Sequence, residues 1–534
     1  MKRVIIVGGV AAGASCAARL RRLEENTEII LLEKGKYVSF ANCGLPYCLG
    51  NIIQDRDDLL VQTPESLKRR FNIDVRVNSE VTFVDTINNE VTINHQEKLK
   101  YDHLVLAVGC KSKQIYKDIP TLRTVEDVDG LKETIKDKTS IALIGGGFIN
   151  IELAENLVKL NKEVTIFEQE EHILPNYDKD IIYYVQKELR GNNVKLLTST
   201  NIKKITKNDG HYSITLSDDT ILNYDQVIAN TGVMPNTDFL KDTNLNLDEQ
   251  GYIIVDANLK TNINNIYAGG DATSCLDFFD DEHTHSTLAG PANKHGRIIA
   301  DNIAGLNSKY EGSLATNIIK VFSLTIASTG KNKKQLDKKK INYQTICIHP
   351  TSHASYYPNS YPIHAKLYYD RDSLKILGGQ AVGKENIDKL IDVISTVITL
   401  NGKVTDLSKL DLCYAPPFNS AKSPVNYFGF IAENIENDLE QLITVEEVLN
   451  NKDDILLDVR TDQEYQQSTI GNSIHIPVDE LRDRIDELLP YKDKYINAYC
   501  KVGIRSHIAC RILSAHGFKC RNITGAFSTY QALK

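Results

Sequence analysis

Three features are missing from this sequence of 534 residues, and each absence excludes a class of protein. No stretch reaches the roughly 18 consecutive apolar residues of a membrane-spanning helix, so we do not expect a membrane protein. Positive charge is not in excess, because the net charge is −8, and nothing therefore favours binding to nucleic acid. The ten cysteines show no paired spacing, which favours free thiols in a reducing cytoplasm over a secreted disulfide scaffold.

What is present is typical of a globular protein with several domains. Hydrophobic residues make up 42% of the sequence and charged residues 25%. The length predicts three or four domains. The apolar run at residues 4–7 is short and leads into glycines and arginines, so we do not expect a signal peptide.

Residues 3–33 have the pattern of a dinucleotide-binding βαβ unit. A β-branched run is followed by Gly8-Gly-Val-Ala-Ala-Gly13, a helix to about Leu23, and a second strand that ends in Glu33. Glycines let a pyrophosphate approach the helix N-terminus, and the acid binds a ribose hydroxyl. Val10 occupies the usual second glycine position, so a plain βαβ turn is the alternative interpretation.

A single cysteine follows ten residues after Glu33, in the stretch Ser39-Phe-Ala-Asn-Cys43-Gly-Leu-Pro-Tyr47. A thiol at that point is expected to lie close to the bound nucleotide, so we interpret Cys43 as the redox centre. Cys48 has the spacing of a redox dithiol. In two-cysteine disulfide reductases, however, the extra cysteine precedes the flavin-proximal one, whereas here it follows. We therefore expect Cys48 to be buried and inert.

Two later segments resemble the remaining FAD motifs of two-dinucleotide flavoproteins. Residues 261–271 end in Gly-Asp271, the aspartate that binds the ribityl chain in those proteins, and residues 104–109 resemble their intervening strand. Together with the first unit they predict FAD as a cofactor. The predicted contacts are Gly8, Gly13, Glu33, Asn42, Gly109 and Asp271.

A second nucleotide unit occupies residues 140–168. A strand at 140–144 precedes Gly145-Gly-Gly147, a helix at 151–160, and a strand that ends in Glu168. Asn150 replaces the third glycine, which weakens the match to a nucleotide-binding loop without excluding it, because asparagine can cap a helix start. The carboxylate of Glu168 would accept ribose hydroxyls and repel a 2′-phosphate, which favours NADH over NADPH. Two nucleotide sites indicate that hydride passes from NADH to the flavin.

The C-terminal part contains a second candidate thiol. Strands at 343–348 and 365–369 and a helix at 387–400 predict an α+β domain, and a hydrophilic connector at 433–440 leads into the last unit. There a strand delivers Cys500-Lys-Val-Gly-Ile-Arg505-Ser506. Backbone N–H groups of such a loop, together with Arg505, favour the thiolate of Cys500 and can hold a persulfide.

This last unit resembles the rhodanese family, with supporting matches at 457–460 and 523–526. The related protein phosphatases have five residues between cysteine and arginine, whereas this loop has four, and the smaller loop suits a sulfur atom better than a phosphate. A catalytically silent interaction module is the alternative.

Residues 1–435 resemble the coenzyme A–disulfide reductase branch of the single-cysteine pyridine nucleotide-disulfide oxidoreductases. The matching stretches are 39–47, 353–358 and 414–424, and with the rhodanese unit the chain is similar to fused coenzyme A–disulfide or coenzyme A–persulfide reductases. The resemblance implies coenzyme A bound to Cys43 as a mixed disulfide in the oxidised form. It also implies a homodimer, in which Tyr356 and Tyr414 reach Cys43 of the partner subunit and donate hydrogen bonds to the departing thiolate.

Coenzyme A would be held by groups near this thiol. Ser39 and Asn42 belong to the matching stretch, and the phosphates of coenzyme A need cations. Arg19 and Arg22 lie on one helical face, and residues 68–70 form a second basic cluster. Favourable charge at a helix C-terminus and a solvated surface are the alternatives for these residues. His349 is expected to be structural, and no metal site is predicted.

The predicted fold class is α/β, with FAD- and NAD-binding Rossmann-like domains, an α+β dimerisation domain and a C-terminal α/β rhodanese domain. The predicted boundaries are 1–120 and 251–320 for FAD, 121–250 for NAD(P)H, 321–436 for dimerisation and 437–534 for rhodanese. The predicted function is NADH-dependent reduction of coenzyme A persulfide or disulfide, with Cys500 handling sulfane sulfur. An NADH oxidase or peroxidase that uses a Cys43 sulfenate is one alternative; a persulfide carrier or sensor is another.

Overall fold

The structure is a computed structural model that describes residues 1–280, 282–451 and 453–534. It divides into two compact units. The first comprises Met1–Ile173 and Asn192–Ala315, and the second comprises Leu174–Gly191 and Thr316–Lys534. Among the described residues, no helix combines the length and the apolar character needed to span a membrane.

The first unit contains two parallel sheets. The larger one has the strand order Ile266–Ala268, His103–Leu106, Arg3–Val7, Glu28–Leu32, Asp74–Arg76. Its central strand Arg3–Val7 is β-branched and buried from Val4 onward, as expected for a strand covered on both faces. The strand order reverses beside this strand, so the loop at Gly8 lies at the topological switch point, where open α/β sheets bind their ligands.

The smaller parallel sheet has the order Lys195–Leu197, Glu163–Phe167, Ser140–Ile144, Gln226–Ala229. Its helix begins at Phe148, three residues earlier than predicted, directly after Gly147. Asn150 therefore lies inside the helix, and the prediction that it caps the helix start is wrong. Its buried amide instead donates to the carbonyls of Ile144 and Gly145, both at 2.7 Å, and ties the helix to the preceding strand.

Antiparallel ribbons complete the first unit. Three form three-stranded sheets, in one of which Ile253–Ile254 pairs in parallel with its neighbour, and the fourth is a two-stranded pair. Their strands are Val81–Asp85, Glu90–Ile93, Glu97–Lys100, Ile202–Asn208, His211–Leu216, Ile221–Tyr224, Cys110–Ser112, Val233–Pro235, Ile253–Ile254, Thr273–Leu276 and His283–His285. The α-helices of this unit are Ala11–Leu23, Leu45–Leu49, Pro64–Phe71, Val125–Ile135, Phe148–Lys159 and Ala289–Ile303.

The second unit holds an antiparallel sheet with the order Asn317–Val321, Leu324–Gly330, Ile376–Gly383, Ile363–Asp370, Tyr343–Ile348. A buried ion pair fixes the helix Lys179–Gly191 to this sheet, since Lys366 Nζ lies 2.7 Å from the carboxylate of Asp180. Sequence reasoning did not indicate that this helix would join the second unit. Asp178 also contacts Lys366, at 3.6 Å.

A second, parallel sheet in this unit has the order Leu442–Ile443, Lys519–Ile523, Tyr495–Tyr499, Ile455–Asp458, Ile474–His475. The α-helices of the unit are Lys179–Gly191, Lys333–Lys338, Ile387–Thr399, Pro424–Glu436, Val445–Asn450, Asp462–Gln467, Ile504–Ala515 and Ala526–Leu533. The predicted connector at 433–440 is partly wrong, because the helix continues through Glu436; the apolar side chains of Phe428 and Ala432 keep it packed. The predicted α/β class with an α+β region and a final α/β unit is confirmed.

Candidate active sites

The two predicted ribose-binding acids are held in the same way. Glu33 accepts hydrogen bonds from the backbone N–H groups of Gly9, at 2.9 Å, and Gly35, at 2.8 Å. Glu168 accepts them from Gly146, at 2.6 Å, and Glu170, at 2.9 Å. Each carboxylate is thereby fixed beside its own glycine-rich loop, which is the placement that a dinucleotide ribose requires.

The glycine positions fit a bound pyrophosphate. Gly8 has φ +98, and a Cβ there would lie 2.2 Å from the carbonyl of Ala107, so no other residue fits that turn. A Cβ on Gly13 would lie 1.8 Å from the carbonyl of Gly8, which allows the helix to approach the loop closely. A Cβ on Gly147 would meet nothing within 4 Å, at the N-terminus of a helix of 12 residues. Gly145, with φ +100, repeats the turn of Gly8. These loops suit an anionic ligand.

Asp271, the predicted ribityl contact, follows the strand Ile266–Ala268. Its carboxylate lies 2.6 Å from the guanidinium of Arg123, a residue that sequence reasoning did not single out. Gly109, with φ +61, accepts a hydrogen bond from Asn236 and so connects the turn after His103–Leu106 to the returning chain. The roles of Gly109 and Asp271 toward FAD remain predictions.

Cys43 lies on an exposed 3₁₀ turn, Asn42–Gly44, that runs into the short helix Leu45–Leu49. The preceding segment is joined to the first nucleotide loop, because the backbone N–H of Ser39 donates to the carbonyl of Gly9 at 2.7 Å. The predicted proximity of the Cys43 stretch to this loop is therefore present in the structure. Contacts of Ser39 and Asn42 with coenzyme A, and of Asn42 with FAD, remain predictions.

The charges around Cys43 oppose its ionisation. Partial removal of the sulfur from water raises the pKa of Cys43, and the carboxylates of Glu152 and Asp271 raise it further. Arg123 acts in the opposite direction and lowers it. The thiolate is therefore sensitive to single changes in this group of side chains.

Glu152 is a site residue that sequence reasoning missed. Its carboxylate accepts a hydrogen bond from the hydroxyl of Tyr47 at 2.9 Å, which fixes the Cys43 helix to the helix Phe148–Lys159. Burial raises the pKa of Glu152 to about 7; the Tyr47 hydrogen bond lowers it and Glu155 raises it. No local pattern could have found the pair, since 105 residues separate its members.

Cys48 lies in the helix Leu45–Leu49 with no exposed surface, whereas Cys43 is exposed. The α-helix begins at Leu45, so Cys43 belongs to the turn before it. The expected burial of Cys48 is thus observed, and its inertness stays a prediction.

The predicted coenzyme A cations occupy different environments. Arg19 is in an ion pair with Asp301, with Nε 2.8 Å from the carboxylate. Arg22 is exposed, and its guanidinium lies 6.0 Å from the ring centroid of Phe71. Because Phe71 directly follows the exposed cluster at 68–70, the structure brings Arg22 close to that second cluster.

Tyr356 and Tyr414 meet in the second unit. Their hydroxyl oxygens are 3.0 Å apart although 58 residues separate them, and the side chains are exposed at 74% and 47%. The hydrogen bond to Tyr414 raises the pKa of Tyr356. The structure thus brings the two predicted tyrosines into contact. Their catalytic role stays a prediction.

Cys500 is fully buried at the end of the strand Tyr495–Tyr499. Its sulfur accepts a hydrogen bond from the backbone N–H of Gly503 at 3.1 Å, and the hydroxyl of Ser506 lies 3.6 Å away. Gly503 has φ +105, so the turn that aims its N–H at the sulfur requires glycine. The backbone N–H of Phe527 donates to the carbonyl of Cys500 at 3.0 Å and so ties the start of the loop to the helix Ala526–Leu533.

Arg505 has a carboxylate partner that sequence reasoning missed. Its two terminal nitrogens contact the two oxygens of Glu464 at 2.7 and 2.8 Å. Glu464 raises the pKa of Arg505 most, and Cys500 raises it further. The guanidinium therefore lies close to both the Glu464 carboxylate and the Cys500 side chain. The only local signal for Glu464 is the capping box with Thr461, which indicates a helix start and no site.

Within the second unit, His349 connects the antiparallel sheet to the C-terminal segment that contains Gly525. Its Nε2 lies 3.0 Å from the carbonyl of Gly525 and its Nδ1 lies 2.8 Å from Nδ1 of His364. Burial lowers the pKa of His349 to about 4, so the ring is neutral at physiological pH. These contacts agree with the structural role expected for it.

Family models match most of the chain. Residues 2–296 match the pyridine nucleotide-disulphide oxidoreductases, residues 316–424 their dimerisation domain, and residues 443–533 the rhodanese-like domain. The five predicted segments divide the chain more finely than these matches, and their boundaries stay a prediction.

Individual proteins resemble this chain over most of its length. A coenzyme A disulfide reductase of Staphylococcus epidermidis is 35% identical over 444 residues, which are 81% of this chain and 100% of that protein. The crystal structure of reduced Bacillus anthracis CoADR-RHD superposes with a TM-score of 0.95 at 40% identity, covering 100% of this chain and 98% of that one. An NAD-dependent persulfide reductase from A. fulgidus gives a TM-score of 0.90 at 33% identity over 99% and 100%.

These similarities confirm the resemblance and the prediction of an enzyme that uses FAD and a pyridine nucleotide. The chain belongs to the pyridine nucleotide-disulphide oxidoreductase family and carries a rhodanese-like domain in its C-terminal part.

Proposed function

We propose that this protein is an NADH-dependent flavoenzyme that reduces coenzyme A persulfide or coenzyme A disulfide, and that Cys500 transfers sulfane sulfur. The observation that carries the proposal is the presence in one chain of two differently built thiol sites. Cys43 is exposed on a turn joined to a dinucleotide loop, and Cys500 is buried beside a backbone N–H donor. The names of the relatives, a coenzyme A disulfide reductase and an NAD-dependent persulfide reductase, support it.

In the proposed reaction, the Cys43 thiolate attacks the sulfur of coenzyme A persulfide that is bonded to coenzyme A. The S–S bond of the persulfide breaks, hydrosulfide leaves, and Cys43 and coenzyme A become joined as a mixed disulfide. With coenzyme A disulfide, the same attack displaces a coenzyme A thiolate. FAD, when bound, supplies the two electrons, taken from NADH, that cleave the mixed disulfide into two thiolates.

The proposal includes a homodimer in which Tyr356 and Tyr414 face Cys43 of the partner subunit. The match to a dimerisation domain and the mutual hydrogen bond of the two exposed tyrosines support this arrangement. A pair of phenols can donate to a sulfur anion as it leaves, and this is general-acid assistance.

Substrate and cofactor selection follow from charge. The buried carboxylate of Glu168 supports a preference for NADH, because a 2′-phosphate would face a fixed negative charge. Arg22 with the cluster at 68–70 supports binding of the coenzyme A phosphates, whereas Arg19 is engaged by Asp301. All ten cysteines lie among the described residues as free thiols, which supports a cytoplasmic location.

Anaerobic NADH oxidation, measured separately with coenzyme A persulfide and coenzyme A disulfide and compared with oxygen as acceptor, tests this proposal. We expect at least one sulfur acceptor to be turned over faster than oxygen. Intact mass spectrometry of the oxidised protein should reveal one coenzyme A that reductant removes and that Cys43→Ser lacks. Faster turnover of oxygen without a coenzyme A adduct would instead favour an oxidase that uses a Cys43 sulfenate. Sulfur loading without NADH turnover would favour a persulfide sensor.

A further inference from the structure

The charge around Cys500 differs from what its loop sequence suggests. The loop contains Lys501 and Arg505, and two cations beside a cysteine would attract a small dianion such as thiosulfate. Arg505, however, makes a bidentate ion pair with Glu464, at 2.7 and 2.8 Å. The carboxylate of Glu464 therefore offsets the positive charge of the Arg505 guanidinium at the end of the Cys500 loop.

The carboxylate of Glu464 is fixed in this position. Besides Arg505, it accepts a hydrogen bond from the backbone N–H of Thr461 at 3.0 Å. The Arg505 guanidinium lowers the pKa of Glu464 to about 2, so the carboxylate stays ionised throughout the physiological range. Glu464 is therefore a permanent negative charge at this site.

A donor must bring its sulfane sulfur to the Cys500 thiolate, and the charge on the donor determines what this approach costs. Thiosulfate carries two negative charges next to the sulfur that is transferred. The persulfide group of a thiol persulfide, R–S–SH, carries at most one, and its leaving group is an ordinary thiolate. With Arg505 already paired, the exposed Lys501 is the other cation of the loop. A dianion then meets less compensating charge than the two cations of the loop sequence would suggest, and a persulfide group needs less of it.

We propose that Glu464, by pairing with Arg505, makes the Cys500 site selective for thiol persulfides over thiosulfate as sulfur donors. This inference rests on the proposed sulfurtransferase function of Cys500 and names its donor class. The Cys500 thiolate attacks the outer sulfur of R–S–SH, and the S–S bond of the donor breaks. The thiolate RS⁻ leaves, and Cys500 becomes a persulfide that keeps the proton. No net oxidation or reduction occurs, so no further reactant is needed.

Glutathione persulfide and sodium thiosulfate serve as the two donors, and cyanide serves as a common acceptor. Thiocyanate formation by the full-length holoenzyme is measured with each donor, and the rate of Cys500→Ser is subtracted as background. Because both donors share the second half-reaction, a difference in kcat/KM reports how Cys500 is loaded. We expect kcat/KM for glutathione persulfide to exceed that for thiosulfate by about tenfold or more.

The substitution Glu464→Gln removes the negative charge of this side chain and keeps its shape. We expect kcat/KM for thiosulfate to rise about fivefold, mainly through KM, while that for glutathione persulfide changes less than about twofold. Glu487→Gln is the matched control, because Glu487 pairs with Arg484 in the same bidentate way, at 2.7 and 3.0 Å, on the surface. This control should leave the donor ratio unchanged.

Equal use of both donors by the wild type would overturn the inference, and so would an equal change for both donors in Glu464→Gln. The wild-type ratio involves no variant, so the inference can fail even if Glu464→Gln does not fold. Transfer from neither donor in the wild type would refute the sulfurtransferase function itself, and the inference with it.

Discussion

Cys43 and Cys500 both precede a helix, but the chain surrounds the two sulfurs differently. Cys500 is buried, and its sulfur accepts a hydrogen bond from the N–H of Gly503, three residues away. The residue Cys43 is exposed, and partial removal of its sulfur from water together with the carboxylates of Glu152 and Asp271 raises its pKa. A thiol that receives sulfur needs a preformed anion site. A thiol that alternates between thiolate and mixed disulfide instead needs surroundings that tolerate a change of charge.

The contrast also concerns where each site obtains its parts. The groups that contact the sulfur of Cys500 come from its own loop and the start of the next helix, and Glu464, which pairs with Arg505, is the distant part of this site within the same unit. The groups that shift the pKa of Cys43 come from distant parts of the sequence. We propose that its general acids come from a second subunit. This difference makes the two sites separable by experiment.

Replacing each of the two cysteines by serine, in separate variants, should have the largest effect on activity. Cys43→Ser should lower NADH-dependent reduction of coenzyme A persulfide more than about a thousandfold, because the nucleophile is lost, and should leave thiocyanate formation intact. Cys500→Ser should give the reverse pattern. Flavin absorbance verifies that both variants are correctly assembled. Loss of preformed persulfide reduction in flavin-loaded Cys500→Ser would reveal one obligate relay and remove the distinction between the sites.

The tyrosine pair should have the next largest effect, and only at Cys43. Tyr356→Phe and Tyr414→Phe should each lower the kcat of the reductase about tenfold to a hundredfold, since hydrogen-bond donation to the departing thiolate is lost. Tyr357→Phe, a neighbouring exposed tyrosine, is the control and should keep normal activity. Thiocyanate formation at Cys500 should be unchanged in all three variants.

Mixed dimers decide which subunit supplies the tyrosines. One subunit carries Cys43→Ser, and the other carries both Tyr356→Phe and Tyr414→Phe. If the tyrosines act across the dimer, this combination retains one intact site and measurable kcat. Activity no greater than that of the double tyrosine variant would contradict the arrangement and would assign the tyrosines to their own subunit or to no catalytic role.

The Cys500 loop was predictable because its chemistry is local. The strand, the glycine that must take a positive φ, and the helix that follows lie within one short stretch, and the structure has them where the sequence indicates. The nucleotide loops were predictable for the same reason. The strand Ser140–Ile144 has the predicted bounds.

The missed residues act over long separations. The pairs Glu152 with Tyr47 and Glu464 with Arg505 are 105 and 41 residues apart, and each consists of residue types that are common on surfaces. Periodicity indicates which residues are buried but not which side chains will meet. Asn150 was misassigned because an asparagine near a helix start usually caps it, whereas here Gly147 precedes the helix and Asn150 is its third residue.

Glu152→Gln should change the pH dependence of Cys43 alone. The ionised carboxylate raises the pKa of Cys43, so its neutral isostere should lower that pKa and let the thiolate form at lower pH. Because the pKa of Glu152 is about 7, the difference from wild type should grow above neutral pH. The glutamine can still accept the Tyr47 hydrogen bond, so the helix contact is kept.

The rate of Cys43 alkylation by iodoacetamide in the reduced protein, followed by peptide mass spectrometry across pH, measures this effect. Glu163→Gln removes an exposed carboxylate from the same unit and serves as the control. The alkylation profile of Cys500 should not move. If the alkylation profile of Cys43 stays unchanged or moves to higher pH in Glu152→Gln, Glu152 does not raise the pKa of Cys43.

The smallest effect is expected from Cys48, and it tests whether Cys43 works alone. Cys48 is fully buried in the helix Leu45–Leu49, while Cys43 lies on the exposed turn before it. A dithiol mechanism would need Cys48 to reach the surface and attack the mixed disulfide, which the buried helix opposes. Cys48→Ala avoids placing a hydroxyl in an apolar position and should keep reductase kcat within about twofold. It should also keep the coenzyme A adduct in the oxidised protein. A large loss of kcat with normal flavin content, or loss of that adduct, would make Cys48 a second redox cysteine; Cys43 would then differ from Cys500 in having a thiol partner.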